Sequence, residues 1–226
     1  MVDESKKFLI KDTRNDKGEV PSPDYYATYS PDIICYQNYV LAYSDAVSSY
    51  DRYICKTFLQ KTINNVYIRA KNNTDIDQNG EVKAFYSSLT LLYMPNLWKP
   101  LLTASKKDTL KLVAEQKEVA KVGDIVLSSE AFLLMEVEDP SQHYCMMALS
   151  RAENGEWLVL PEKFDGDVGL WNFLRNHPEI AYNNIVIEST YLHQHSEIVT
   201  LGNLNALIQM HSWVVLYFCS WIMKTN

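Results

Sequence analysis

Alternation gives the readable part of this chain its first element. Val66, Ile68 and Ala70 alternate with Tyr67, Arg69 and Lys71, the period of a strand that buries one face. Asn72, Asn73, Thr74 and Asp75 break the pattern as a polar loop, and it resumes through Val82, Lys83, Ala84, Phe85 and Tyr86. The spacing predicts strands over 65–71 and 81–87, antiparallel, with their aliphatic sides hidden against a second layer. A short strand is expected over 110–113, and the apolar stretch Asp124-Ile125-Val126-Leu127 follows Gly123 and leads to Phe132-Leu133-Leu134. A near-continuous apolar strand is expected over 143–150, a brief one near 157–160, and another over 184–188. Pro95 and Pro100 exclude a regular central strand across 91–102, and Trp98 is placed to plug one open end of the sheets.

One helix stands out over 167–176. Leu170, Phe173 and Leu174 fall at helical spacing, Asp167 suits the N-cap and Pro178 ends the element. Residues 35–64 are rich in Tyr and lack clear turns, so 50–58 reads as loop or strand. The apolar run 206–223 contains Gln209, His211 and two serines. It is shorter and more polar than a membrane span of roughly 20 apolar residues, so it reads as a final strand, with a membrane or partner segment as the sharper alternative. The pattern implies a mostly-β protein with one short helix. Residues 1–29, with Pro21 and Pro23, form a flexible or partly ordered N-terminal segment. The folded domain runs over 30–226 and opens at Pro31.

Composition narrows the function. The chain has 226 residues, 15 Tyr and 5 Trp but only 7 Gly, and a net charge of −7. Tyr and Trp favour strands and partner-facing surfaces. The negative charge, with no basic stripe, argues against nucleic acid. Cys35, Cys55, Cys145 and Cys219 have none of the short spacings of a zinc knuckle or redox motif. They read as buried thiols, with two disulfides left open. Residues 1–7 are charged and lack the apolar stretch of a signal peptide, so the expectation is a cytoplasmic protein, with signal-independent secretion open.

The order Ser30-Pro31-Asp32-Ile33-Ile34, Asn65-x-Tyr67-Ile68-Arg69-x-Lys71-Asn72, Pro95-x-Leu97-Trp98, Gly123-Asp124-Ile125 and His143-Tyr144-Cys145 resembles bacterial immunoglobulin-like sandwich domains of the CARDB type. Val66, Tyr67, Ile68, Arg69 and Asn72 match the strand such modules carry, and Gly80 would serve the loop after it. The resemblance covers islands within 30–205. It implies an immunoglobulin-like antiparallel β-sandwich carrying a Tyr-rich N-terminal extension. Modules of this kind act as adhesive, scaffolding or accessory domains. By this resemblance the chain would recognise another protein without catalysis, for instance as an adaptor or accessory protein of a bacterial secretion or toxin system.

Candidate chemistry is sparse. Tyr36, Tyr39, Tyr43, Tyr50 and Tyr53 could form a protein- or glycan-contact surface, since Tyr offers amphipathic area at low entropic cost; packing on the sandwich edge is the plainer reading. A glycan-binding module would need open Trp platforms, for which Trp98, Trp157 and Trp171 are the candidates. His193, His195 and Glu197 would share a strand face and so could reach one metal ion, but a solvated strand or loop is the plainer reading and no metal site is expected. His143 and Cys145 also share a face, the start of a Cys–His pair for a hydrolase. Cys145 lies in an apolar run that would raise its pKa rather than lower it. The acidic loops around Glu162, Asp165 and Asp167, and around Glu136, Glu138 and Asp139, lack the spacing of a calcium loop. No phosphate-binding, dinucleotide or zinc-protease motif occurs, so no cofactor is expected.

Overall fold

The computed structural model describes residues 7–24, 28–115, 117–135 and 143–188, all within the first of two compact units, Met1–Thr190. The strands are β1 (Phe8–Leu9), β2 (Ile33–Cys35), β3 (Phe58–Leu59), β4 (Asn64–Asn72), β5 (Gln78–Ser88), β6 (Lys99–Pro100), β7 (Leu110–Val113) and β8 (Val119–Ala120). They continue as β9 (Ile125–Ser128), β10 (Phe132–Leu134), β11 (Tyr144–Ala152), β12 (Ile180–Ile185) and β13 (Ile187–Glu188). The helices are α1 (Tyr43–Ser48) and α2 (Gly166–Asn176).

The architecture is mostly β, antiparallel and sandwich-like. The main path runs β1-β4-β9-β7-β5-β11-β12, with β2 and β10 added to β4 and β6 and β8 added to β5. Strands β13 and β3 form a small parallel pair. The alternation seen in the sequence holds in both long strands. Val66, Ile68 and Ala70 of β4 and Val82 and Ala84 of β5 all enter one buried cluster. The two strands are not direct partners, because β9 and β7 lie between them in the sheet. They meet across the core rather than along a ladder.

Strand β11 explains its own unbroken apolar sequence. Tyr144, Met146 and Ala148 face the main core, whereas Cys145, Met147 and Leu149 face a second cluster under α2. A strand covered on both faces has no solvent side to mark with polar residues. Helix α2 supplies Leu170, Trp171 and Leu174 to that second cluster. Trp98 closes the same end: its ring stacks on Phe164 at 6.2 Å and its indole N–H donates to Leu92 O at 3.0 Å.

Several expectations need correction. Helix α1 was not legible. It is six residues long, and Ala46 is its one buried residue, too little to show a period. The N-cap of α2 is Asp165, without a side-chain cap; Asp167 instead accepts the Tyr93 hydroxyl. Residues 157–160 form no strand. The strand expected over 184–188 begins earlier, as β12 from Ile180, and breaks before β13. The N-terminal segment enters the core: Phe8, Leu9 and Ile10 are buried, β1 pairs with the end of β4, and Ile10 N–H donates to Pro178 O at 2.9 Å. The expected final strand over 206–223 lies outside the described residues.

Gly80 does not serve a loop. It sits inside β5, where an added Cβ would lie 2.8 Å from Cζ of Phe8. Phe8 is itself buried in the main core. Gly80→Ala should therefore lower stability by about 1–3 kcal/mol through overpacking, seen as a reduced urea midpoint at unchanged slope. An unaltered midpoint would show that the ring moves freely.

Candidate functional site

The five tyrosines take three different settings once the chain is folded. Tyr43 starts α1 and donates its hydroxyl to Ile125 O at 2.7 Å, tying the helix to β9. Tyr50 lies half-buried with its ring under two cations, 4.1 Å from Lys11 Nζ and 5.2 Å from the Arg69 guanidinium. Burial pushes its phenol well up. These two rings hold the fold together. Tyr53 meets Tyr29 edge to face at 6.3 Å.

Tyr36 and Tyr39 converge. The Lys56 ammonium lies 4.3 Å from the Tyr36 ring centre and 4.5 Å from that of Tyr39, both within cation–π range. The turn that carries them is pinned from several sides. Tyr39 N–H donates to Tyr36 O at 3.1 Å, and Tyr36 N–H donates to Asn65 O at 2.8 Å. Asn65 Nδ2 donates to Tyr39 O at 3.0 Å, and Gln37 Nε2 donates to Thr57 O at 3.2 Å. Gln37 itself is held at φ 51°, a left-handed conformation that surrounding bonds must enforce in a non-glycine residue. On this fixed turn Tyr39 is 56% exposed and Val40 81%. Ile63 and Met135, both exposed, flank the paired residues Asn64 and Leu134 at the same end of β4. Sequence reasoning missed Lys56 and Val40, since nothing in their spacing links them to Tyr36.

The Cys–His pair is brought together indirectly. His143 Nε2 lies 3.2 Å from Asn184 Oδ1, and Cys145 Sγ lies 3.7 Å from the same oxygen and 3.0 Å from the Tyr182 hydroxyl. The Tyr182 hydroxyl also donates to Asn184 Oδ1. Cys145 is fully buried, and burial pushes its thiol up to about 11. A neutral thiol is a poor nucleophile, and no bond joins it to His143. The cluster works as a polar network inside the β11–β12 pair.

The Trp candidates are largely enclosed. Trp98 and Trp171 are buried, and half-buried Trp157 has Lys83 at 4.9 Å and Arg151 at 4.5 Å from its ring centre. His193, His195 and Glu197 lie outside the described residues. Among the described residues no group of three or more His, Cys, Asp or Glu is placed to hold a metal ion, and no helix is long and apolar enough to cross a membrane.

No family model matches this chain, and no curated protein matches it. Solved structures show only distant likeness. A hemolymph type prophenoloxidase from a crustacean is 8% identical over 64% of this chain and 28% of its own, with a TM-score of 0.34. AsqI with Zn is 8% identical over 82% of this chain and 39% of its own, with a TM-score of 0.32. A β-glucuronidase of Bacteroides uniformis is 17% identical over 43% of this chain and 10% of its own, with a TM-score of 0.25. This chain thus spans well under half of each of these proteins, and at such scores the likeness carries no argument about the site.

Proposed function

We propose that this protein is a non-catalytic recognition module, an adaptor or accessory protein that docks a protein partner on the Tyr36–Val40 turn. The observation that carries the proposal is the aromatic pair around Lys56 beside the exposed Val40, Ile63 and Met135, on a turn whose backbone is fixed before any partner arrives. Preorganised Tyr rings lose little entropy on binding, and a rigid apolar centre with a polar rim is the anatomy of an interface hot spot. The resemblance to CARDB-type modules agrees with this role but rests on sequence islands alone. A role in a bacterial secretion or toxin system is the narrower form of the same proposal.

The test compares three full-length proteins as bait in native lysate: wild type, a Tyr39→Ala/Val40→Asp variant, and a Val159→Asp control altered at a distant exposed position. Wild type and control should enrich a common protein, and the turn variant should bind it at least tenfold more weakly, as expected for a hot-spot loss of at least about 1.4 kcal/mol. Equal capture by all three, or no enriched protein, would reject the reading.

A further inference from the structure

We infer that Cys35 and Cys55 form a dithiol placed to close into an intramolecular disulfide. Cys35 ends β2, and the segment leading to β3 runs alongside it. Lys56 N–H donates to Cys35 O at 2.8 Å, so the residue after one cysteine is clasped to the carbonyl of the other. In the same place Cys35 N–H points at Cys55 Sγ, 3.3 Å away. These two bonds bring the Cys55 thiol against the backbone of Cys35, and close approach of the two residues is the first requirement of a disulfide. Both side chains join the same face: Cys35 belongs to the main core cluster and Cys55 packs against it. Cys145 belongs to the other cluster, across β11.

Exposure assigns the roles. Cys35 is fully buried, whereas Cys55 keeps a partly exposed edge. With a low-molecular-weight disulfide such as oxidised glutathione as the oxidant, Cys55 loses its proton and its thiolate attacks one glutathione sulfur. The glutathione S–S bond breaks, one glutathione thiolate leaves, and a mixed disulfide remains on Cys55. Cys35 then gives up its proton and attacks Cys55 Sγ, and the second glutathione thiolate departs. Two protein thiols are oxidised, and one glutathione disulfide is reduced to two thiols. Burial pushes both cysteines up, so closure is slow at neutral pH and quickens toward alkaline pH, where more thiolate forms.

The bridge would close a loop between residues 20 apart in sequence. That loop holds α1, Tyr50 and the Tyr36–Tyr39 turn, and the bridge would fix Lys56 beside the strand end that leads into Tyr36. The disulfide is independent of what the turn binds, and it is tested without any partner.

The experiment incubates reduced full-length protein with oxidised glutathione at mildly alkaline pH. The protein is then unfolded, alkylated and digested with trypsin without reduction. Cleavage after Arg52 and Lys56 separates the Cys55 peptide from the one holding Cys35. The expected product is a Cys35–Cys55 linked pair, lighter by two hydrogens than the sum of the two peptides, with Cys145 and Cys219 alkylated. Cys55→Ser should abolish the pair. The oxidised protein should melt roughly 5–10 °C higher than the reduced one, in line with closure of a loop of this length. Both cysteines recovered alkylated, Cys55 held only as a glutathione adduct, or bridges to Cys145 or Cys219 would each overturn the inference. A lowered melting temperature would overturn it too, because a bond that strains the fold is not one the fold is placed to make.

Discussion

Replacing Arg69 with Ala should destabilise the protein by about 3–5 kcal/mol, the cost of stripping one partner from a buried ion pair. Arg69 and Asp32 are both wholly buried, with Nε donating to Asp32 Oδ1 at 2.7 Å. The guanidinium has five N–H donors, and each has an acceptor. One Nη1 bond goes to Ala46 O at 2.7 Å and the other to Ser49 Oγ at 3.1 Å; Nη2 donates to Pro31 O at 2.9 Å and Tyr50 O at 3.3 Å. Ala46 and Tyr50 lie in and just after α1, where helix carbonyls lack internal partners. One side chain on β4 therefore holds the end of α1, the strand β2 entry and the N-terminal segment, whose Lys11 N–H donates to Asp32 Oδ2 at 2.8 Å. Urea unfolding checks the size of the loss. An Arg69→Met/Asp32→Leu pair should recover much of it, since no buried charge is then left alone. A single variant within about 0.5 kcal/mol of wild type would refute this account.

The stability of the protein should fall as pH rises from the ordinary carboxylate range toward neutrality, and Asp12→Asn should remove much of that slope. Asp12 is buried, and burial followed by the charge of Asp16 lifts its carboxyl from 3.8 to about 7. Asp16 is equally enclosed, with its carboxylate accepting Asp12 N–H at 3.2 Å and Gly18 N–H at 2.7 Å. The folded state therefore keeps a proton that the unfolded chain has already released. Its contribution is complete below about 3.8 and is lost as pH climbs through about 7. A shift of this size corresponds to at most about 4 kcal/mol. Asp32, lifted by burial to about 6 against the pull of Arg69, adds a slope of the same sign. That slope cancels when wild type and Asp12→Asn are compared across the range. The variant should match wild type in acid and exceed it at neutral pH. Parallel curves would show that the two aspartates do not share a proton.

Particular residues show how much of this was readable beforehand. The inward set of β4 was legible because Val66, Ile68 and Ala70 are aliphatic and evenly spaced. The outward set misled. Tyr67, Arg69 and Lys71 read as a single polar side. In the fold Tyr67 is buried under α1 with Leu41 and Ala46, and the ring beside Arg69 is that of Tyr50. A charged residue in an alternating strand looks solvated unless its counter-ion is known. Asp32 lies 37 residues away, beyond any local pattern. The same holds for the candidate site. The tyrosines were visible as a group, but Lys56 is what separates Tyr36 and Tyr39 from Tyr43 and Tyr50.

The sequence by itself determined the two long strands around residues 68 and 84, the strand after His143, the inward aliphatic side chains of β4, and that α2 ends before Pro178, because periodicity and proline act within a few neighbouring residues. Only the tertiary structure decided that α1 roofs β4, that Arg69 is enclosed, and that Cys35 meets Cys55. Those outcomes depend on contacts between distant parts of the chain, where burial and pairing energies exceed any local preference.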